Sequence, residues 1–313
     1  MNDAFYSKHF QLDQIGKGIF AAIAKDGGGA VANAGFVDLG DKVIVFDTFN
    51  TQQASEDLKL IAEKITNRPV TWAINSHWHG DHIRGNQTFK DSIIISSQIT
   101  YSNIRDVHPS RFSKQKNDIQ GLKGYILSLK DQLNQTNDPQ IQYQINSLNE
   151  LKESLPTLEL VLPNQTFNNE ITFQGTQRCA KLFTLGGGHS FCDAMLYIPD
   201  EKVIFMGDLL FVNCHPTFFE ESDSVKWSNI LKNVERLEFD VAVPGHGPRG
   251  TKEDISKMIN YISELTTIAE KSKQNEEIEI PDIYRDWSSP EIYQQNIKRL
   301  RELTNSKSRC CYK

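Results

Sequence analysis

The segment Asn75-Ser76-His77-Trp78-His79-Gly80-Asp81-His82 constrains this chain more than any other. It closes the short apolar run Val70 to Asn75, which reads as a strand. In extended backbone, residues two apart face the same way, so the imidazoles of His77 and His79 can reach one metal ion. Gly80 then lets the chain turn, and Asp81 and His82 present further donors nearby. Imidazole nitrogen and carboxylate oxygen suit zinc and are acceptable to iron or manganese. A metal-trapping surface tract would be low in complexity and would lack the framing strand.

The surroundings read as layered α/β structure. Ile19 to Ala24 and Ala30 to Leu39 are strand candidates separated by the turn Asp26 to Gly29. Lys42 to Phe46, ending at Asp47, suits a strand buried on both faces. Ala54 to Thr66 carries Leu58, Leu60, Ile61 and Ile65 at helical spacing, and Arg68-Pro69 stops it. Ile93 to Ser96 is again strand-like. After Ser113 the chain turns polar, with Ile119, Leu122, Ile126, Leu129 and Leu133 in 3-4-3-4 spacing. Asp138 then fits an N-cap with Pro139 at the first helical position. Ile145, Leu148, Leu151 and Leu155 continue a second stripe. This is an inserted helical hairpin, bounded at 105–156, and a packing arm, a dimerisation arm and an active-site lid are all open to it.

The strand pattern returns at Leu158 to Leu162, Glu170 to Phe173, Cys179 to Leu185, Ala194 to Ile198 and Val203 to Met206. Helices are expected at Trp227 to Leu237, Glu253 to Lys271, and from Ser288 or Ser289 with Pro290 to Leu303. The two halves share an element order, which implies two sheets flanked by helices. The 313 residues allow two domains by length, but one α/β domain over 1–313 interrupted by the hairpin accounts for the order better. Residues 305–313 are expected to form a flexible tail.

Lys plus Arg total 34 and Asp plus Glu total 40, a formal charge of −6, which argues against a nucleic-acid partner. Five scattered cysteines imply no disulfide framework. No apolar run approaches the roughly 18 residues that span a bilayer. The opening residues lack the apolar stretch of a signal peptide, so a cytoplasmic location is expected.

The HxHxDH pattern resembles the metallo-β-lactamase superfamily. That resemblance implies an αββα sandwich of two mixed sheets and three further ligand elements downstream. All three occur in order: His189 in Leu185-Gly186-Gly187-Gly188-His189-Ser190, Asp208 after Val203 to Gly207, and His246 in Pro244-Gly245-His246-Gly247. The resemblance covers roughly residues 15–270, the helical insertion excepted. Carried over, it gives His77, His79 and His189 to one metal, Asp81, His82 and His246 to a second, and Asp208 to both. Asp47 matches a carboxylate that supports the ligand loop.

The resemblance thus implies two divalent ions, Zn2+ first, with Mn2+ or Fe as alternatives. It implies a hydrolase whose metal-bridging hydroxide attacks an ester, lactone, thioester, lactam or phosphoester in a small-molecule substrate, with Asp81 handling a proton. The alternative on the same fold is a non-hydrolytic, iron-dependent oxidoreductase resembling persulfide dioxygenases. A bridging Asp208, rather than Cys, points away from the best-known penicillin-hydrolysing subclass. Phe211, Asn213, His215, Phe218 and Phe219, in the loop after Asp208, are candidates for the substrate pocket. Ser190 is expected to shape its turn. His9 and His108 are expected on the solvated surface. No membrane partner is expected, and a homodimer would be built on the inserted helices.

Overall fold

Two mixed β-sheets face each other in the computed structural model, which describes residues 5–273 and 276–310. The first sheet follows chain order: β1 (Phe10–Gly16), β2 (Ile19–Ala24), β3 (Ala34–Asp38), β4 (Val43–Phe46), β5 (Trp72–Ile74), β6 (Ile93–Ser97) and β7 (Gln165–Phe167). The second comprises β8 (Glu170–Gln174), β9 (Cys179–Thr184), β10 (Ala194–Ile198), β11 (Val203–Phe211) and β12 (Val241–His246), in spatial order β12-β11-β10-β9-β8. Parallel pairing from β4 through β7 and between β11 and β12 makes both sheets mixed.

The alternation of side chains along β4 shows why its sequence is apolar throughout. Ile44 and Phe46 enter the core between the sheets, with Ile74, Leu196, Phe205 and Val243. Val43 and Val45 enter the outer core against α1 (Gln52–Thr66). A strand covered on both faces has no position for a polar residue. Helix α1 starts on Thr51, whose side chain accepts from the Ala54 amide, and ends at Asn67 in the left-handed region. Its buried stripe is Ala54, Leu58, Ile61 and Ala62. Leu60 and Ile65, expected in that stripe, are instead 61% and 43% exposed.

The helix α2 (Gly80–Ile83) belongs to the ligand loop, and α3 (Gln98–Asn117), α4 (Ile119–Thr136) and α5 (Pro139–Ser154) lie between β6 and β7. Ile126, Leu129, Ile141 and Ile145 make the seam of the α4–α5 hairpin. Asp138 caps α5 at the Gln140 amide, with Pro139 in its first turn. Ahead of the hairpin stands α3, which the sequence reading missed. Only Thr100, Ile104, His108 and Phe112 are buried along it, one per turn, and Pro109 lies inside it. Leu158 to Leu162 is not a strand; Leu158 packs with Phe112 and Leu155, and Leu160 and Leu162 pack against Trp78 and Ile104. Ala30 to Asn33, expected at the start of a strand, forms a loop with Val31 at φ 68°.

Helices α6 (Ser224–Val234), α7 (Lys252–Lys271) and α8 (Glu291–Cys310) cover the outer face of the second sheet through Trp227, Ile230, Leu265, Tyr293 and Ile297. This completes the αββα sandwich. Helical backbone in α8 continues into the segment expected as a flexible tail, and residues 311–313 lie outside the described residues. No helix among the described residues is long and apolar enough to cross a membrane.

Gly35 in β3 makes room for the facing sheet: a Cβ there would press into the Phe205 ring and lie 2.5 Å from the Phe20 carbonyl oxygen. Gly35→Ala therefore overpacks the inter-sheet core and should cost about 1–3 kcal/mol, read as a lower midpoint in urea unfolding. An unchanged midpoint would reject this packing.

Candidate metal centre

Three strand ends, one strand interior and one loop deliver the ligands and the carboxylate that supports them. Asp47 follows β4, His77 to His82 follow β5, His189 lies between β9 and β10, Asp208 lies within β11, and His246 ends β12. Parallel pairing of β4 with β5 sets Phe46 beside Ile74, so Asp47 emerges next to the ligand loop.

Asp47 is buried and sits at φ 61°. Its Oδ1 accepts from the Ser76 amide at 2.7 Å, and its Oδ2 lies 2.8 Å from both Ser76 Oγ and His82 Nδ1. Ser76 Oγ donates to Asp47 and lies 2.9 Å from His77 Nδ1, so it accepts from that nitrogen. Glu221 Oε1 lies 3.0 Å from His79 Nε2. Each of these three rings thus has one nitrogen held by a partner, which turns the other nitrogen toward the centre, the orientation a metal ligand needs.

The inward nitrogens converge. His79 Nδ1 lies 2.9 Å from His77 Nε2 and 3.0 Å from His189 Nε2. Asp208 Oδ2 lies 3.2 Å from His189 Nε2 and 3.8 Å from His77 Nε2. On the other side, Asp208 Oδ1 lies 3.0 Å from His82 Nε2, and Oδ2 lies 3.5 Å from His246 Nε2. Asp81 Oδ2 stands 3.4 Å from His246 Nε2 and 3.8 Å from His82 Nε2. His77, His79, His189 and Asp208 therefore form one donor group, and Asp81, His82 and His246 form a second.

These residues fit divalent metal. Donors bound tetrahedrally at about 2.0–2.1 Å stand roughly 3.3 Å apart, within the spread seen here. His82 Nε2 and Asp208 Oδ1 are buried and close, yet neither has an aligned hydrogen-bond partner. Lone pairs so directed favour a cation between them. The backbone leaves room for this: a Cβ at Gly245 would collide with Asp208 Oδ1, and Gly207, at φ 52°, passes so close to Ser76 that a Cβ would lie 2.8 Å from its side chain.

Charge is strongly coupled across the centre. Burial and the neighbouring His82 and His79 push His77 well below the ordinary imidazole value. Burial opposes the charged form of His82 and His246, but Asp208 and its neighbours outweigh it, lifting His82 well up and His246 to about 9. Asp208 is held well below the usual carboxylate range: burial opposes ionisation, and His82, His246 and His189 overcome it.

The structure brings together all seven ligand candidates. Of the pocket candidates, Phe211 stacks on His246 at 5.1 Å between centroids and Phe219 lies 4.4 Å from His79. The other three are not brought to the centre. Asn213 is exposed at a left-handed turn, its carbonyl accepting from the Ser288 amide. His215 turns into the helical layer, with Nδ1 2.8 Å from Tyr261 Oη and Trp287 and Tyr293 around it. Phe218 packs on Trp227. The chain after β11 dives toward α7 and α8 before returning at Phe219, which separates these residues.

His9 and His108 are buried rather than solvated: His9 Nδ1 accepts from the Gly29 amide, and His108 Nε2 donates to the Trp78 carbonyl at 2.7 Å. Ser190 Oγ donates to Asp193 at 2.7 Å. Sequence reasoning missed Asp193, whose carboxylate also gathers the amides of Gly188, His189 and Ser190. It also missed Ser76 and Glu221 as partners of ligating rings. The position of Asp193, four residues after His189 in a glycine-rich turn, was a usable signal; Glu221 had none.

Comparison with known proteins bears on the family and the fold. The model of the metallo-beta-lactamase superfamily matches residues 27–246. A metallo-beta-lactamase from Pontibacter korlensis is 16% identical, with TM-score 0.57 over 81% of this chain and 99% of that one. The DIM-1 metallo-beta-lactamase is 16% identical, with TM-score 0.56 over 82% and 98%. A metallo-beta-lactamase from Hirschia baltica is 15% identical, with TM-score 0.57 over 82% and 98%. At these identities the likeness is one of fold. Among curated proteins none matches the chain.

Because His82 and His246 have raised pKa values in the metal-free protein, metal binding at pH 7 must displace protons. Zinc titration calorimetry in buffers of different ionisation heat should show proton release at pH 7, with affinity rising toward pH 9. Affinity independent of pH over that range would contradict the assigned second group.

Proposed function

The chain belongs to the metallo-β-lactamase superfamily, and from that membership and its ligand set we propose that it is a dinuclear metal-dependent hydrolase. The bond cleaved is an ester, lactone, thioester, lactam or phosphoester of a small molecule. One observation carries the reading: Asp208 stands 3.2 Å from His189 Nε2 with one oxygen and 3.0 Å from His82 Nε2 with the other, so a single carboxylate serves both donor groups. The three similar structures are metallo-beta-lactamases, which keeps the lactam bond among the candidates.

His77, His79, His189 and Asp208 would hold one ion, and Asp81, His82 and His246, with Asp208, the other. The donors are nitrogen and oxygen without thiolate, a set that suits zinc and accepts manganese or iron. When bound, such ions supply Lewis acidity toward a substrate oxygen and bring the pKa of water to about 7.

The protein's own groups do the rest. Asp47, Ser76 and Glu221 fix the rings of His82, His77 and His79. Asp81 keeps solvent access, with a side chain 24% exposed, and stays ionised because His82 and His246 outweigh the burial that opposes its charge. It is the carboxylate placed to take a proton from water and pass it outward. Phe211 and Phe219 wall the histidines and exclude water from that side.

The test is a chromogenic panel of nitrocefin, an aryl ester, a lactone, a thioester and bis-p-nitrophenyl phosphate, run with zinc, manganese and iron. At least one member should be cleaved, chelation should abolish the activity, and Asp208→Ala should lower kcat/KM by roughly 100-fold or more, as expected for lost transition-state charge stabilisation. No cleavage with both sites filled, or oxygen uptake by the iron form, would overturn the reading.

A further inference from the structure

Two guanidinium groups flank the ligand loop on its α3 side. That of Arg84 packs against Gly80, where a Cβ would lie 3.1 Å from Cζ. It donates to the amide oxygens of Asn50 and, at 3.0 Å, Gln115, while its Nε is buried with no partner. Arg111, exposed on α3, lies over the Trp78 indole at 4.7 Å from the ring centroid. Trp78 and Gly80 are the residues on either side of His79.

Arg68, Arg105, Arg178, Arg285 and Arg299 each pair with a carboxylate. Among the described residues, no ion pair is formed by Arg84 or Arg111, nor by Arg236, Arg249 or Arg301, which lie away from the ligand loop in sequence. Burial lowers the Arg84 pKa, and Asp81, the carboxylate that opposes this, is already committed as a ligand. Neutral amides position Arg84 without cancelling its charge. Two guanidinium groups on the same side of the loop both attract an anion, and a guanidinium fork matches the oxygens of a carboxylate or phosphate. Beside them, Phe191 is exposed and 6.3 Å from Trp78, and Phe219 is part-exposed over His79, an apolar rim for the body of such a molecule.

We propose that Arg84 and Arg111 form an oxyanion subsite beside the metal centre, which takes a carboxylate or phosphate group carried on an apolar body. That this molecule is the substrate rests on the hydrolase reading; that the subsite binds anions does not.

The test is equilibrium binding by calorimetry to the zinc-loaded full chain, at low salt, with four probes of one shape: benzenesulfonate, benzoate, phenyl phosphate and neutral benzyl alcohol. The sulfonate is a poor metal ligand and so reports the arginines. All three anions should bind at least tenfold more tightly than the alcohol. Arg111→Gln, at an exposed position, should weaken benzenesulfonate at least tenfold, and Arg111→Lys should keep part of the affinity. Arg84→Gln should act in the same direction; if it does not fold, Arg111→Gln decides alone. Tighter binding of phenyl phosphate or of benzoate assigns the group as phosphate or carboxylate, and either supports the subsite. Equal binding of benzenesulfonate by wild type and Arg111→Gln, or binding of the alcohol as tight as the anions, overturns it. The readout is binding rather than turnover, so a silent substrate panel and a missing subsite are separate results.

Discussion

The buried carboxylate of Asp47 is the constraint on which the centre depends. It receives the Ser76 amide, the Ser76 hydroxyl and His82 Nδ1. Through His82 it orients the second donor group directly, and through Ser76 and His77 it orients the first. The residue sits at φ 61°, a conformation that costs a non-glycine residue on the order of 1–3 kcal/mol. Asp adopts it more readily than most residues, and three hydrogen bonds to one buried carboxylate offset the strain. The conformation turns the chain at the end of β4 so that the carboxylate points at the ligand loop.

Sheet pairing then brings distant segments to that point. Pairing of β11 with β12 sets Gly207 beside Pro244 and Phe211 beside His246, which places Asp208 and His246 on one side. The Ala194 amide donates to the Ser76 carbonyl at 2.8 Å, joining the second sheet to the ligand loop of the first. Asn33 donates to the carbonyls of Pro244 and Gly247 and fastens the loop before β3 to the end of β12. Seven donors spread from His77 to His246 thus meet because the segment after β5, strands β11 and β12 and the turn before β10 are pinned together by sheet pairing and hydrogen bonds.

The sequence made the donor cluster legible because His77, His79, Asp81 and His82 fall within six residues after one strand. The sandwich was legible for a related reason: β4 is apolar on both faces. Helix α3 was not, because it buries one residue per turn, is otherwise polar and contains Pro109. Glu221 was not legible either, since its meeting with His79 depends on how the chain returns from α7 and α8. His108 and His215 looked like surface or pocket residues by composition alone, yet packing buries them, and burial pushes each down to about 4. Long-range contacts of this kind leave no local pattern to read.

Electrostatics complete the account. Without a cation, Asp81 and Asp208 draw protons onto His82 and His246; with one, the same lone pairs are free to ligate. On the proposed function, this chain holds two ions between its two donor groups, with Asp208 serving both. Metal counting by plasma emission on the zinc-saturated, buffer-exchanged protein tests it most directly. Two ions per chain are expected, and one or none at saturation would contradict the account.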